Sequence, residues 1–514
     1  MNQDKGKIIT KENFIEKLKN SDRFKSISTL IGAIIVSLMT GSIFGFCTLS
    51  VYQISYIKGK DPHNFISIDH ISFYYPFEVI AQTSSSFFSG RLEKKISLHF
   101  INLIGFTIYA LGYFIMYLSQ NFFSDLFAMV ICGIGNGIIY YPSTINVCLW
   151  FPKNNGIIMG IIETTISLGS FFFALIGEQI INKNEIESDE DEDLYEYDVA
   201  IKVKKYLLFQ IITILVAMVL SYLLIYEKEN EEKEKKEKKT ENPVELGTKI
   251  EGIEEVFLGT DTPIKSISKE EENAKESKNI DISDKDVNKK MFWTAFKSKR
   301  YLLFVAISTC FAQGPSMLFS LYRGIGETQK IDTGTLQLLG SINFIFECAS
   351  GFLIGILCDY VNLKILLIII VGTFTIIMYI YCLTFTSDSA FFWITNISVF
   401  INGGIYPFAD CYLMKVFGAD IYIELIGISS FISNFVVVLF SPIAYYVDSN
   451  VEDKKAYWIL FSLFGTLNFV SFILSFFINV EKFNFEERLT QDKIKTNLNE
   501  LPEEPSYENK VYHN

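Results

Sequence analysis

A dozen mainly apolar runs, each about 20 residues or longer and nearly free of charge, dominate this chain of 514 residues. In lipid every backbone N–H and C=O must be paired within its own segment, so runs of this length read as spanning helices. They fall at roughly 27–57, 71–89, 98–118, 122–149, 156–181 and 201–226. A second set follows at roughly 300–322, 334–357, 363–385, 389–415, 421–446 and 456–479. The expected fold is an all-α membrane protein of twelve transmembrane helices, arranged as two pseudo-symmetric six-helix bundles at 27–226 and 300–479. Residues 1–26 and 480–514 flank the bundles, and 227–299 reads as a disordered, charged linker.

The two sets are related by more than their number. Gly135-Asn136-Gly137-Ile138-Ile139-Tyr140-Tyr141-Pro142 is echoed 265 residues later by Asn402-Gly403-Gly404-Ile405-Tyr406-Pro407. The same offset carries Gly90 onto Gly355, Leu92 onto Leu357, Glu78 onto Asn343 and Gln82 onto Glu347. Two related membrane halves are the pattern expected of a carrier that rocks one half against the other around a site near the midplane.

Composition narrows the alternatives. The formal net charge of −13 comes largely from the loop after Ile181, the linker and the C-terminal tail, so it says little about partners. No clustered basic surface argues for nucleic acid. All eight Cys fall inside or at the edge of the runs with no Cys-x-x-Cys pair, and only four His are present. They read as apolar packing residues, and neither a metal nor another cofactor is expected. The linker has few aromatics and mixed charge, which does not support a core of its own. Lys and Arg cluster before the first run, after the second (Arg91, Lys94, Lys95) and around the linker. This puts both termini and the linker on the cytoplasmic side. Lys202, Lys204 and Lys205 fall on the opposite side, against the trend.

Gly355-Ile-Leu-Cys-Asp359-Tyr-Val-Asn-Leu-Lys364 fits Gly-x3-Asp-x4-Lys. It resembles the cytoplasmic loop signature of the major facilitator superfamily. The resemblance implies that the glycine lets helices come close and that the Asp latches one gate through a cation and a helix end. The N-terminal copy, Gly90-Arg91-Leu92-Glu93-Lys94-Lys95, carries Lys94 where the acid stands in the family. Trp150-Phe151-Pro152-Lys153-Asn154-Asn155-Gly156, with Gly160, resembles the fourth-to-fifth helix junction of the oxalate/formate antiporter and monocarboxylate transporter branch. Asn155 replaces the Arg usual before that glycine. The branch also generally has a basic residue in its eighth helix, and 334–357 contains none. Gly90, Arg91, Gly355, Asp359 and Lys364 are the gating candidates.

The resemblance places helices one, four, seven and ten around the cavity. There the chain carries Gln53, Tyr140, Tyr141, Gln313, Arg323 and Tyr406, the candidate substrate-binding residues. Gln53 and Arg323 end matched tetrapeptides, Ser50-Val51-Tyr52-Gln53 and Ser320-Leu321-Tyr322-Arg323. Gln313-Gly314-Pro315 breaks the hydrogen-bond ladder of its helix. Arg323 suits a substrate carboxylate because a guanidinium binds it in bidentate fashion.

A charge at membrane depth costs from about 2.5 to more than 10 kcal/mol, so each needs a reason. Glu78 and Gln82 share one helix face, as do Asn343 and Glu347. Each acid has an amide for neighbour rather than a cation, which suits a proton carrier. Glu78, Glu347 and Asp410 are the proton-coupling candidates, and Glu163 can face the gate. The expected function is secondary-active transport of a small organic solute by alternating access. A proton-linked monocarboxylate-type metabolite comes first, a short-chain acid or a vitamin acid such as pantothenate. Amino acids, sugars and a non-transporting nutrient sensor of the same fold are the alternatives. An enzyme would need clustered His, paired Asp or a nucleophile near an interface, and none is evident. A monomer in the bilayer is expected, with the plasma membrane ahead of an organelle membrane.

Overall fold

The structure is a computed structural model. It describes residues 21–60, 68–184, 186, 194–228, 284–331, 333–381, 383, 387–450 and 453–485. Among these every regular element is helical. The first half consists of α1 (Asp22–Lys60), α2 (Tyr74–Glu93), α3 (Leu98–Leu118), α4 (Phe122–Trp150), α5 (Asn155–Ile181) and α6 (Val203–Leu224). The second half consists of α7 (Lys299–Thr328), α8 (Thr333–Tyr360), α9 (Leu363–Ile380), α10 (Asp388–Gly403), α11 (Ile405–Phe417), α12 (Ala419–Asn450) and α13 (Asp453–Ser475). One turn residue, Gly404, divides the tenth run into α10 and α11.

By internal contacts, Met1–Tyr226 and Met291–Asn514 form one compact unit and Glu227–Lys290 another. Most of the linker, the outer end of the acidic loop and both chain ends lie outside the described residues. The expectation of a structureless linker as far as 299 fails at its end, where Asp284–Phe296 is helical. Phe292 is buried there, packed against Phe296 and Phe87. The Met291-Phe292-Trp293 triplet carries the apolar area that the rest of the linker lacks.

Ten described helices are long and apolar enough to cross a membrane. Two of the expected twelve runs are not among them, for local reasons. α2 carries Glu78, Gln82, Thr83 and four serines, most of them turned inward. α10 and α11 are each cut short by the turn at Gly404. Large apolar side chains stay exposed on α3 (Phe100, Leu111, Phe114), α6 (Ile212, Val216, Leu223), α9 (Ile365, Ile369, Ile376) and α13 (Trp458, Ile459, Ile473). Such broad apolar faces fit a surrounding of lipid tails.

Inside the first half, helices meet backbone to backbone. A Cβ on Gly133 or Gly137 would strike the carbonyls of Glu78 and Gln82 on α2, and one on Gly135 would strike Tyr109 on α3. The Gly-x-Gly-x-Gly stretch therefore seats α4 between two neighbours. Pro315 does not break α7. The helix runs through it, Gln313 Nε2 donates to the Thr309 carbonyl at 2.9 Å, and Gly314 seats against Asn468 of α13.

The lysine that departs from the charge trend has a structural partner. Lys204 Nζ donates to the carbonyls of Tyr117 and Ser119 at 2.7 and 3.0 Å and lies 4.4 Å from the Tyr56 ring centroid. A cation at the C-terminal end of α3 is favoured by the helix dipole. Lys204 thus serves packing rather than orientation.

Candidate functional site

The halves meet chiefly along two helix pairs, α5 with α8 and α2 with α12, and α5 also packs on α11. On α5 and α8 the contact is made by glycine. An added Cβ on Gly355 would lie 2.5 Å from Gly160 Cα and 2.7 Å from the Gly156 carbonyl. That approach delivers the next turn of α8 to the start of α5. Asp359 Oδ1 and Oδ2 accept from the backbone N–H groups of Gly156 (3.0 Å) and Ile157 (2.9 Å). The chain's own cap position, Asn154, makes no such bond from its side chain. The second half therefore caps a helix of the first, where dipole and unpaired N–H groups both favour an anion.

The cation beside Asp359 is Lys415 on α11, at 3.0 Å from Oδ1 and 2.7 Å from the Cys358 carbonyl. Lys364, a gating candidate from the sequence, starts α9, where its N–H donates to Asn362 Oδ1 at 2.9 Å.

The other contact inverts the charges. Lys94 follows α2 and pairs with Glu424 of α12 at 2.8 Å. Gly90 packs on Ile423, and the Arg91 guanidinium lies 4.3 Å from the Phe87 centroid. Lys94 occupies the position that Asp359 holds in the second half, and its partner is acidic.

Above these latches a polar cluster crosses the interface. Tyr140 OH donates to Glu163 Oε1 at 2.5 Å, and Tyr422 OH donates to Asp410 Oδ1 at 2.6 Å. The Glu163 and Asp410 carboxyls are within hydrogen-bonding reach of each other, one from each half. Tyr141 stacks edgewise on Tyr140 and Tyr422, with centroids 4.7 and 6.3 Å apart. Two ionised carboxylates about 4 Å apart repel by about 4 kcal/mol at an effective dielectric near 20, so such a contact calls for a proton.

Further along, Tyr75 and Tyr406 are 48% and 46% exposed, yet each lies within electrostatic reach of the other and of Glu347. Tyr75 belongs to α2 of the first half and Tyr406 to α11 of the second. Glu347 lies against Gly403 of α10.

The sequence candidates thus separate. Tyr140, Tyr141, Tyr406, Glu347 and Asp410 come together between the halves. Gln53 is buried in the first half, its Nε2 donating to Asp125 Oδ2 at 2.8 Å. Glu78 is also buried there and meets Asn136 Nδ2 at 3.5 Å. Gln313 is engaged with its own helix. Arg323 lies in α7, and its side chain is outside the described part. Tyr75, Tyr422 and Lys415 were missed. Tyr75 sits in the Tyr74-Tyr75-Pro76 stretch, a third Tyr-Pro beside those at 141–142 and 406–407.

A helical bundle in two membrane-embedded halves, clasped across a polar interface, defines a multi-pass membrane protein. The Major Facilitator Superfamily model matches residues 28–326, and the chain belongs to that superfamily. Curated relatives match shorter stretches. The uncharacterized MFS-type transporter YhjX of Escherichia coli is 25% identical over 154 residues, 30% of this chain and 37% of the relative. The MFS-type transporter opdF of Penicillium oxalicum is 26% identical over 133 residues, 26% of this chain and 30% of the relative. The matched stretches thus span about a third of the length of these relatives. Among solved structures, the proton:xylose symporter XylE aligns with a TM-score of 0.65 at 13% identity, covering 92% of this chain and all of that one (100%). The Escherichia coli fucose:proton symporter FucP aligns at 0.59 and 12% identity, covering 88% and 98%. The human organic anion transporter MFSD10 aligns at 0.58 and 11%, covering 88% and 99%.

Proposed function

We propose that this chain is a proton-linked secondary-active transporter of a small organic solute, with a monocarboxylate-type metabolite as first cargo class. The observation that carries the proton link is the set of carboxyls gathered between the halves, Glu163, Glu347 and Asp410, surrounded by tyrosines. Cargo enters the space faced by Tyr75 and Tyr406, and the Asp359 and Lys94 latches close or release one side as the halves rock. Glu347 and Asp410 serve proton coupling, with Glu78 as a reserve carboxyl inside the first half. The support for a carboxylate cargo is the Trp150-Phe151-Pro152 junction and the position of Arg323.

A second reading, a neutral hydroxylated solute such as a sugar, is favoured by the hydroxyl, amide and carboxyl groups at Tyr75, Tyr406, Asn402 and Glu347. The proposed setting is a monomer in the plasma membrane with both termini cytoplasmic. The support is the Lys and Arg distribution, from which the capping role of Lys204 removes one exception.

Uptake into proteoliposomes tests these readings against lactate, pyruvate, pantothenate, xylose and glucose at acidic and neutral pH. Acid-stimulated uptake of the acids supports the first, and acid-stimulated uptake of the sugars alone supports the second. Uptake that ignores pH for every solute sinks the proton link.

A further inference from the structure

We propose that Glu163 and Asp410 form a binding site for one shared proton, and that this proton holds the two halves together on the latched side. The inference rests on the proton-linked reading and gives it a particular site and stoichiometry.

The geometry is a carboxyl pair divided between the halves, Glu163 on α5 and Asp410 on α11. Each acid has its own tyrosine donor, Tyr140 at 2.5 Å and Tyr422 at 2.6 Å. The Tyr141 ring lies 4.7 Å from one donor, Tyr140, and 6.3 Å from the other, Tyr422, so the cluster sets the two acids against each other across the interface. A carboxylate only accepts hydrogen bonds, so this contact forms when one of the two carries a proton and donates it to the other. The proton comes from water, and water takes it back when the halves part. No covalent bond forms or breaks beyond that O–H.

The surroundings offer no cation in compensation among the described groups. From α4 the pair meets Tyr140 and Tyr141, with Cys148 within reach of Asp410. From α8 it meets Glu347, an acid. From α11 and α12 it meets Tyr406 and Tyr422. α1, which packs on α5, carries no titratable residue between Lys25 and Cys47. Lys415, also on α11, is committed to Asp359 and the Cys358 carbonyl.

The contact also has a built-in reporter. Seven and six residues before Glu163, the N–H groups of Gly156 and Ile157 are bonded to Asp359 of the other half. Separation of the halves frees both amides to exchange with water.

The experiment is hydrogen exchange, read by mass spectrometry on peptides covering 151–160, of the full chain in nanodiscs without cargo. It runs between about pH 6 and 9 with correction for intrinsic exchange rates. Protection in the unaltered chain is expected to fall as pH rises. One linked proton sets a limit of about tenfold per pH unit. Glu163→Gln supplies a permanent amide donor to Asp410, so its protection is expected to stay flat across the range. Asp410→Asn is expected to do the same from the other side. Glu178→Gln alters an acid of α5 that bonds Tyr52 rather than the pair, and is expected to keep the unaltered chain's slope. Protection in the unaltered chain that does not change with pH overturns the proposal, even if either variant fails to fold. So does a Glu163→Gln or Asp410→Asn slope equal to that of the unaltered chain. Because no cargo or uptake enters the measurement, a proton-linked uptake result can stand when this site fails, and the reverse.

Discussion

Glu347 and Arg323 are the residues whose chemistry separates the cargo readings. Glu347 lies within electrostatic reach of Tyr75 and Tyr406, so in the proposed reading it exchanges a proton with whatever enters. In Glu347→Gln, uptake is expected to lose its dependence on pH while surface expression persists. An unchanged pH profile in that variant removes its coupling role. Arg323→Ala is expected to weaken carboxylate cargo at least tenfold, the loss of about 1.4 kcal/mol or more from a charge-assisted bond, and to spare neutral solutes. Equal losses for both would mark a structural role. At this scale the sequence was legible where one residue type in lipid demands an explanation. Glu347 and Asp410 stood out because a charge at that depth is expensive. Lys415 and Tyr422 did not. A lysine near a helix end and a tyrosine in an apolar run are ordinary locally, and their partners Asp359 and Asp410 are remote or 12 residues away.

Helix α5 depends on α8 for its first turn. Gly156, Gly160, Gly351 and Gly355 bring the two backbones together, and Asp359 then reaches the free amides. In Gly355→Ala the new methyl would meet Gly160 Cα at 2.5 Å, with backbone on both sides and no flexible side chain to move. Such overpacking costs about 1–3 kcal/mol. A lower melting temperature of the purified protein is expected, together with faster exchange of the Gly156 and Ile157 amides. A variant matching the unaltered chain in both would show that the close approach does not hold the latch. The helices themselves were readable because apolar length fixes a span almost alone, and the observed starts and ends of α3 and α5 lie within a residue of the expected ones. The failures were positions where a tertiary contact overrides a local rule. Pro315 leaves α7 helical in spite of its missing donor, and the linker gains a helix where Phe292 finds Phe87.

Across the whole molecule the two latches are related by the duplication and opposite in charge. Asp359 meets Lys415 and a helix start, whereas Lys94 meets Glu424. Lys94→Glu puts two acids together and is expected to slow transport. The exchanged pair Lys94→Glu with Glu424→Lys is expected to recover most of it, with a coupling energy of about 1 kcal/mol in the double-mutant cycle. No recovery in the exchanged pair would mean that these side chains do not act as a couple. The seams inside the first half carry a different consequence. Gly133, Gly135 and Gly137 join α4 to α2 and α3 with no side chain between the backbones. A joint of that kind has no rotamers through which to give way, so three helices behave as one stiff beam. A displacement of α2 would then carry α3 and α4 with it, out to the end where Lys94 pairs with Glu424 of the opposite half.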